Sequence, residues 1–428
     1  MDTTKSTSNK YVYQISVIGV LFFVFGFVTW LNGFLIPFLK MTCELKTDAQ
    51  SFLVTFAFFM AYFFLAIPSS WILKQTGYKN GMALGLCIMA IGTILFIPAA
   101  NARSFNMFLT GLFIQGMGLA LLQTASNPYV SIIGPIETAA KRISIMGICN
   151  KVAGMLGIII MGVIAFSDAS SLEKQLETIT DPIQRDTFLN EVAGRIVTPY
   201  IVMTVALILL ALMIWRSSLP EIIEEEDLVD SAPARPSILN YPHVLLGALC
   251  IFMYVGAEVM AGDLISYYGK KLGFSLATTR FFPFYTIGAM LIGYIIGIIA
   301  IPKYLSQQKS LWLASVLGIV LSFAAYFTEG VPSVVFIFLL GIANAPMWPA
   351  IFPLGIKGLG SWTKLGSALL VMGIAGGAII PQIYGRFTDA HIWDFKIGFL
   401  IIMTVCYAYI LWFGLKGHKM GTQVGPPQ

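Results

Sequence analysis

Charge is what this chain of 428 residues has least of: Asp, Glu, Lys and Arg make up 11% of it and hydrophobic residues 57%. A soluble domain carries roughly 25% charged residues, and with a mean hydropathy of +0.82 this chain has too few to cover a water-facing surface. That excludes an ordinary soluble fold and makes the bilayer the solvent. Histidine is scarcer still: His243, His391 and His418 sit at segment edges, too dispersed for a ligand cluster. Cys43, Cys87, Cys149, Cys250 and Cys406 lie far apart, four of them inside apolar segments, which argues against a disulfide frame or a metal site. The net charge is a modest +5, and no basic run is interleaved with aromatics, so no nucleic-acid partner is expected. The first apolar stretch is too long for a signal-peptide core and ends in no small-x-small site, so it reads as an uncleaved span.

What the chain does have is a series of apolar stretches long enough to cross a ~30 Å hydrocarbon core. They fall near 12–38, 50–73, 81–100, 105–132, 142–167 and 196–216, then near 243–268, 277–300, 309–328, 332–356, 364–387 and 394–416. The expected fold is an all-α membrane protein with twelve transmembrane helices in two six-helix bundles, 1–216 and 243–428. The linker 217–242 holds EIIEEED and APARP, which cannot cross a bilayer, and a second polar loop runs roughly 168–195. An even number of crossings puts both termini on one side. Lys74, Lys79, Lys141, Arg142, Lys303, Lys309, Lys357 and Lys364 fall on that side, so the positive-inside rule places it in the cytoplasm. The expected setting is the plasma (inner) membrane, with lipid as a partner and a monomer as the assembly.

The halves carry a weak parallel repeat, as expected for bundles related by an axis along the membrane normal. At one offset Gly118 pairs with Gly341, Gly154 with Gly377 and Gly162 with Gly385. At a slightly larger one FGFVTWLNGFL of the first span matches VGAEVMAGDLI of the seventh, setting Gly33 opposite Asp263.

Charges inside apolar spans cost at least ~2.5–3.5 kcal/mol each on insertion scales, so they face a partner or an aqueous cavity. Lys151 lies roughly 13 Å into the fifth span by helical rise, and Glu258 and Asp263 lie past the middle of the seventh. Neutral polar residues collect too: Gln115, Gln123, Ser126 and Asn127 on the fourth span, Asn150 on the fifth, Asn32 and Trp30 on the first, Asn344 and Trp348 on the tenth, Gln382 on the eleventh. Amides both donate and accept, which suits a polyhydroxylated ligand, and neighbouring rings offer a platform for a sugar face. For any single amide, a hydrogen bond between helices is the plainer role, at about 0.6 kcal/mol. Pro128, Pro346, Pro349, Pro353 and Pro381 interrupt spans and free backbone carbonyls, as in helices that rock or gate.

Twelve spans in two halves with an acidic linker resemble the major facilitator superfamily. WILKQTGYKNG (71–81) resembles its signature loop, with Gln75 and Thr76 where an acid is usual. QTASNPYVSIIGP (123–135), RISIMGICNKVAG (142–154), FPLGIKGLG (352–360) and GSALLVMGIAGGAIIP (366–381) resemble the fucose permease branch, with its glucose/galactose and N-acetylglucosamine permeases. The resemblance covers nearly the whole chain and implies sugar uptake coupled to a cation by alternating access. It also exposes departures. Where fucose permease has an aspartate on the first span and a glutamate on the fourth, this chain has Gly33 and Gln123. The span-five asparagine is kept as Asn150, while a glutamine one turn earlier is replaced by Gly147. The coupling carboxylate is therefore expected in the other half, with Glu258, Asp263 and Lys151 as the charged set.

The expected function is symport of a neutral hexose (glucose/galactose, N-acetylglucosamine or fucose) with H+ or Na+, without a resident cofactor. An uncoupled sugar facilitator and, further off, a membrane glycosyltransferase stand beside it. The enzyme would need a phosphate or metal site, and the only dense acid cluster lies in the linker.

Overall fold

The computed structural model describes residues 2–132, 139–166, 168–217, 219, 237–301, 303–359 and 362–421. Most of the acidic linker, 220–236, lies outside the described residues. Among the described residues, 11 helical stretches are long and apolar enough to cross a membrane. One of them, Leu53–Asn101, is 49 residues long and holds two spans. It turns at Gly77, whose φ of 76° and ψ of 170° fall in a region open essentially to glycine alone. Twelve spans result, as the hydropathy pattern predicts. They form two six-helix bundles.

The first span is Tyr13–Thr42, the second and third share Leu53–Asn101, the fourth is Phe105–Asn127 and the fifth Arg142–Ala165. The loop expected at 168–195 is largely helical: Ala169–Thr178 is followed by Pro182–Gly194, which leads with one short break into the sixth span, Val197–Arg216. Asp181 caps the second of these loop helices by accepting from the Ile183 N–H, and Pro182 needs no donor at that first position. The seventh span, Pro242–Gly262, stops earlier than hydropathy predicts, and Ile265–Lys271 is a separate short helix. The eighth is Phe282–Ala300, the ninth Gln307–Phe327 and the twelfth Phe395–Leu415.

The tenth span is broken beside Pro346 and the eleventh at a glycine, whereas Pro349, Pro353 and Pro381, expected to interrupt their spans, lie inside continuous helices. The tenth runs Gly330–Asn344 and then Met347–Ile356, with Pro346 at the joint. The eleventh runs Thr363–Met372 and Gly376–Asp389, joined by a 3-10 turn at Gly373–Ala375.

Lipid offers no hydrophobic drive for helix association, so small residues that let backbones approach do the packing. A Cβ at Gly85 would stand 2.8 Å from the Gly118 carbonyl, locking the third span to the fourth. Gly154 abuts Trp30 of the first span, with an added Cβ at 2.5 Å, and Gly377 abuts Phe59 of the second span and Val259 of the seventh, at 2.9 and 3.0 Å.

Candidate functional site

A cavity lies between the halves, with about 880 Å³ of empty space when its open mouth is counted. Its deep end is Trp30 and Asp263. Phe22 and Phe25 on the first span, and Ile143 and Gly147 on the fifth, extend the lining back toward the ends where those spans begin. Asn127 and Trp348, past the middle of spans running the other way, line the same portion. The cavity therefore reaches toward the face that carries the termini.

The charged set meets in this cavity. Lys151 Nζ lies 3.0 Å from Glu258 Oε1 across the interface between halves. The same ammonium sits 4.1 Å from the centroid of the Trp30 ring. Trp30 Nε1 in turn donates to Asn150 Oδ1 at 3.1 Å, one turn of chemistry passing from the first span to the fifth. Gly154 and Gly262 press on the indole from spans five and seven, where added Cβ atoms would come within 2.5 and 2.7 Å of it. Trp30 is thus fixed by both halves, and the ring face expected to receive a sugar is covered by Lys151. Asp263 is buried, at 2% exposure, and its Oδ1 has no hydrogen-bond partner among the described residues.

Of the residues singled out in the sequence, Trp30, Gln123, Asn127, Asn150, Lys151, Glu258, Asp263 and Trp348 line the cavity. Gln123 Nε2 donates to Tyr62 Oη at 3.1 Å. Four amides do not line it. Gln115 packs its stem on Gly92 of the third span. Asn344 accepts from Tyr407 Oη at 2.8 Å inside the second bundle. Gln382 donates to the Ala49 carbonyl at 3.0 Å, on the far side of the protein. Asn32 is fully buried, with both amide atoms unpartnered among the described residues. The helical wheel places a residue on a face without saying which neighbour covers that face at that depth. Missed by the sequence reading were Tyr62, Tyr254 and Tyr294, which line the cavity beside the amides.

The face opposite the termini is closed by a polar latch. Asp48, which begins the short helix Asp48–Ser51 after the first span, accepts from Lys40 Nζ at 2.5 Å and Tyr267 Oη at 2.8 Å, and pairs with Lys271 Nζ at 3.0 Å. Asp389, ending the eleventh span, accepts the backbone N–H groups of Asp48 and Ala49 at 3.0 and 2.8 Å. Burial pushes the Asp48 carboxyl up, but the bonds from Lys40, Tyr267 and Lys271 and the Lys40 charge outweigh it and hold it below its usual value. Arg280 adds a second tie across the halves, donating to the Gly162 and Phe166 carbonyls.

The family model described as Major Facilitator Superfamily matches residues 18–381. A "Glucose/galactose transporter" of Brucella abortus is 35% identical over 422 residues, which is 98% of this chain and 97% of that protein. An "L-fucose-proton symporter" of Escherichia coli is 28% identical over 399 residues, 91% of this chain and 90% of that one. The crystal structure of the E. coli fucose:proton symporter superposes with a TM-score of 0.75 at 26% identity, covering 97% of this chain and 100% of that one. Matches of this extent set aside the membrane-enzyme reading. This chain, a multi-pass membrane transporter and not an enzyme, belongs to the Major Facilitator Superfamily, in its fucose permease-like branch.

Proposed function

We propose that this chain takes up a neutral hexose, with glucose or galactose ahead of N-acetylglucosamine and fucose, together with H+ or Na+ by alternating access. The observation that carries the reading is the makeup of one cavity, in which Gln123, Asn127 and Asn150 stand beside Trp348, Tyr254 and Tyr294 and next to the Lys151–Glu258 pair and Asp263. Amides and hydroxyls that donate and accept suit sugar hydroxyls, and rings suit the apolar face of a pyranose. The names of the relatives, one a glucose/galactose transporter at 35% identity, support the choice of sugar. The charged set supports coupling, because a carboxylate that alternates between dry and wet surroundings takes up and releases a cation. In this reading the termini are cytoplasmic in the inner membrane, the protein works as a monomer, and the latched face is the outer one.

The test is uptake of a labelled hexose panel in proteoliposomes, with a pH gradient free of sodium in one arm and a sodium gradient at equal pH in the other. Accumulation above the outside concentration in one arm is the expected result. Equilibration to the outside level in both arms, with counterflow intact, would leave an uncoupled facilitator. A panel in which no hexose gives counterflow would overturn the choice of substrate.

A further inference from the structure

Three buried ionisable groups share the deep end of the cavity, and their charges do not balance. Lys151 is committed to Glu258 at 3.0 Å, with both side chains largely buried, and its ammonium is also seated on the Trp30 ring. Asp263 has no such partner: its Oδ1 is unsatisfied among the described residues although the residue is buried. Lys151 and Glu258 are also the charges whose fields reach Asp263. One ammonium therefore stands against two carboxylates. Removing an uncompensated carboxylate from water costs several kcal/mol even after relaxation, so the set is one positive charge short.

The backbone around Asp263 offers both signs: the Gly33 N–H is directed at its carboxyl, and the end of the seventh span brings carbonyls. Asp263 is the C-cap of the seventh span, which ends at Gly262 before the chain restarts at Ile265. The C-terminal end of a helix carries partial negative charge on carbonyls that lack an intrahelical partner. Gly33 leaves Asp263 room and no side chain of its own, since a Cβ there would lie 3.2 Å from Asp263 Oδ1.

We infer that Asp263 alone is the exchangeable site for a monovalent cation, while Lys151 and Glu258 pass through the transport cycle as a resident neutral pair. The inference rests on the coupled-transport reading and sharpens it. One cation enters per sugar, and with a neutral sugar each turnover moves one net charge. A proton would bond to an Asp263 oxygen; Na+ would take that oxygen together with backbone carbonyls of the helix end, where Val259 already accepts from Asp263 and Leu264 and Ala261 from Thr286.

Glu258 then has a role opposite to that of a coupling acid. In Glu258→Gln the released Lys151 neutralises Asp263, and transport becomes uncoupled. In Lys151→Met/Glu258→Gln the resident pair is gone as a unit, and Asp263 is again unbalanced and binds a cation, whatever the rate at which sugar is carried. With a tenfold imposed cation gradient and no membrane potential, the wild type should concentrate sugar about tenfold, against about a hundredfold for two cations. Glu258→Gln and Asp263→Asn should stop at equilibration while keeping counterflow. The pH and sodium arms identify the cation.

A sugar-free readout separates this assignment from the choice of sugar. Trp30 contacts Gly262, next to Asp263, so cation loading should shift indole fluorescence in detergent-purified protein. A one-site titration with NaCl or pH should be kept in the double variant and lost in Asp263→Asn, whether or not any hexose is carried. The inference is overturned if Glu258→Gln concentrates sugar like the wild type, if the wild type moves two cations per sugar, or if Asp263→Asn keeps the titration. Should the double variant fail to fold, the one-cation stoichiometry of the wild type and the loss of the titration in Asp263→Asn decide it.

Discussion

Gly33 and Asp263, which the sequence repeat sets opposite one another, touch: a Cβ on Gly33 would lie 3.2 Å from both Cα and Oδ1 of Asp263. Asp263 fills the space that a second side chain would need. Gly33→Ala must push the spans apart by a few tenths of an ångström, a strain of about 1–3 kcal/mol on the scale of overpacked cores. The expected result is slower counterflow with the protein still folded. Gly33→Asp sets a second carboxylate against the first and should lose transport at neutral pH more completely than Gly33→Ala. Equal activity of the two variants would show that charge at this contact is immaterial.

The latch on the opposite face should set how long the protein rests with its cavity turned toward the termini. Lys40 and Lys271 are partly exposed, so each ion pair to Asp48 contributes no more than about 1 kcal/mol; the buried Tyr267 bond and the two backbone donors to Asp389 add to that. Asp48→Asn or Asp389→Asn should shift the balance toward opening on that face by about tenfold. Spin labels placed across the latched face, read by pulsed dipolar spectroscopy, would show a longer-distance population. An unchanged distance distribution in both variants would remove the latch as a control point.

The same carboxylate gives the pH dependence a sign. Asp48 is held below its ordinary value in the closed arrangement, so it favours closure above the usual carboxylate range and loses that contribution as pH falls through the depressed value. The usual aspartate value is about 3.9. The latched population should therefore be flat from neutral pH down to that range and fall only below it. Opening that begins near pH 7 in the wild type would assign the effect to another group.

What could be read from the sequence follows from contrast. Lys151, Glu258 and Asp263 stand out in apolar spans because charge is so rare there, and all three line the cavity. Tyr62, Tyr254 and Tyr294 do not stand out among 17 tyrosines and 32 phenylalanines, although the cavity uses them. Gln115 and Gln123 illustrate the limit of the helical wheel. They lie on neighbouring faces of one span, but eight positions separate them by about 12 Å of rise, which puts Gln115 against Gly92 and Gln123 against Tyr62. The spans themselves were legible except where backbone hydrogen bonding decides their ends, as at Gly262 and at the joint holding Pro346.

Trp30 is held at its edges, and this makes its glycine neighbours testable. Gly154→Ala and Gly262→Ala each place a methyl carbon within 2.5–2.7 Å of the indole, and the ring must rotate away from Lys151 to escape. Losing a buried cation–π contact of up to about 2 kcal/mol should weaken the seating of Lys151 on the ring. Gly262→Ala should also hold the halves apart. Both variants are expected to lose most concentrative uptake, and Gly154→Ala should keep more counterflow than Gly262→Ala because it acts within one half. The reverse ranking would mean that the contact between halves at Gly262 is not needed for the cavity to open toward the termini.

Tyr294 rests on Gly147 in a way that ties the shape of the cavity to a single missing side chain. A Cβ at Gly147 would come within 2.8 Å of the Tyr294 ring, so the tyrosine of the eighth span occupies the volume that a longer residue on the fifth would claim. Gly147→Gln would expel the ring and put an amide in its place, exchanging an apolar surface for a donor and an acceptor. A site built around a ring binds sugars by their apolar faces, and one built around an amide binds them by their hydroxyls, so the exchange should change the ranking of hexoses more than the maximal rate. Tyr294→Ala enlarges the cavity without adding an amide and should raise KM for every hexose by a similar factor. Measured KM values for a panel of hexoses in counterflow separate the two. If Gly147→Gln and Tyr294→Ala raise KM uniformly and alike, Tyr294 fills space without choosing between sugars.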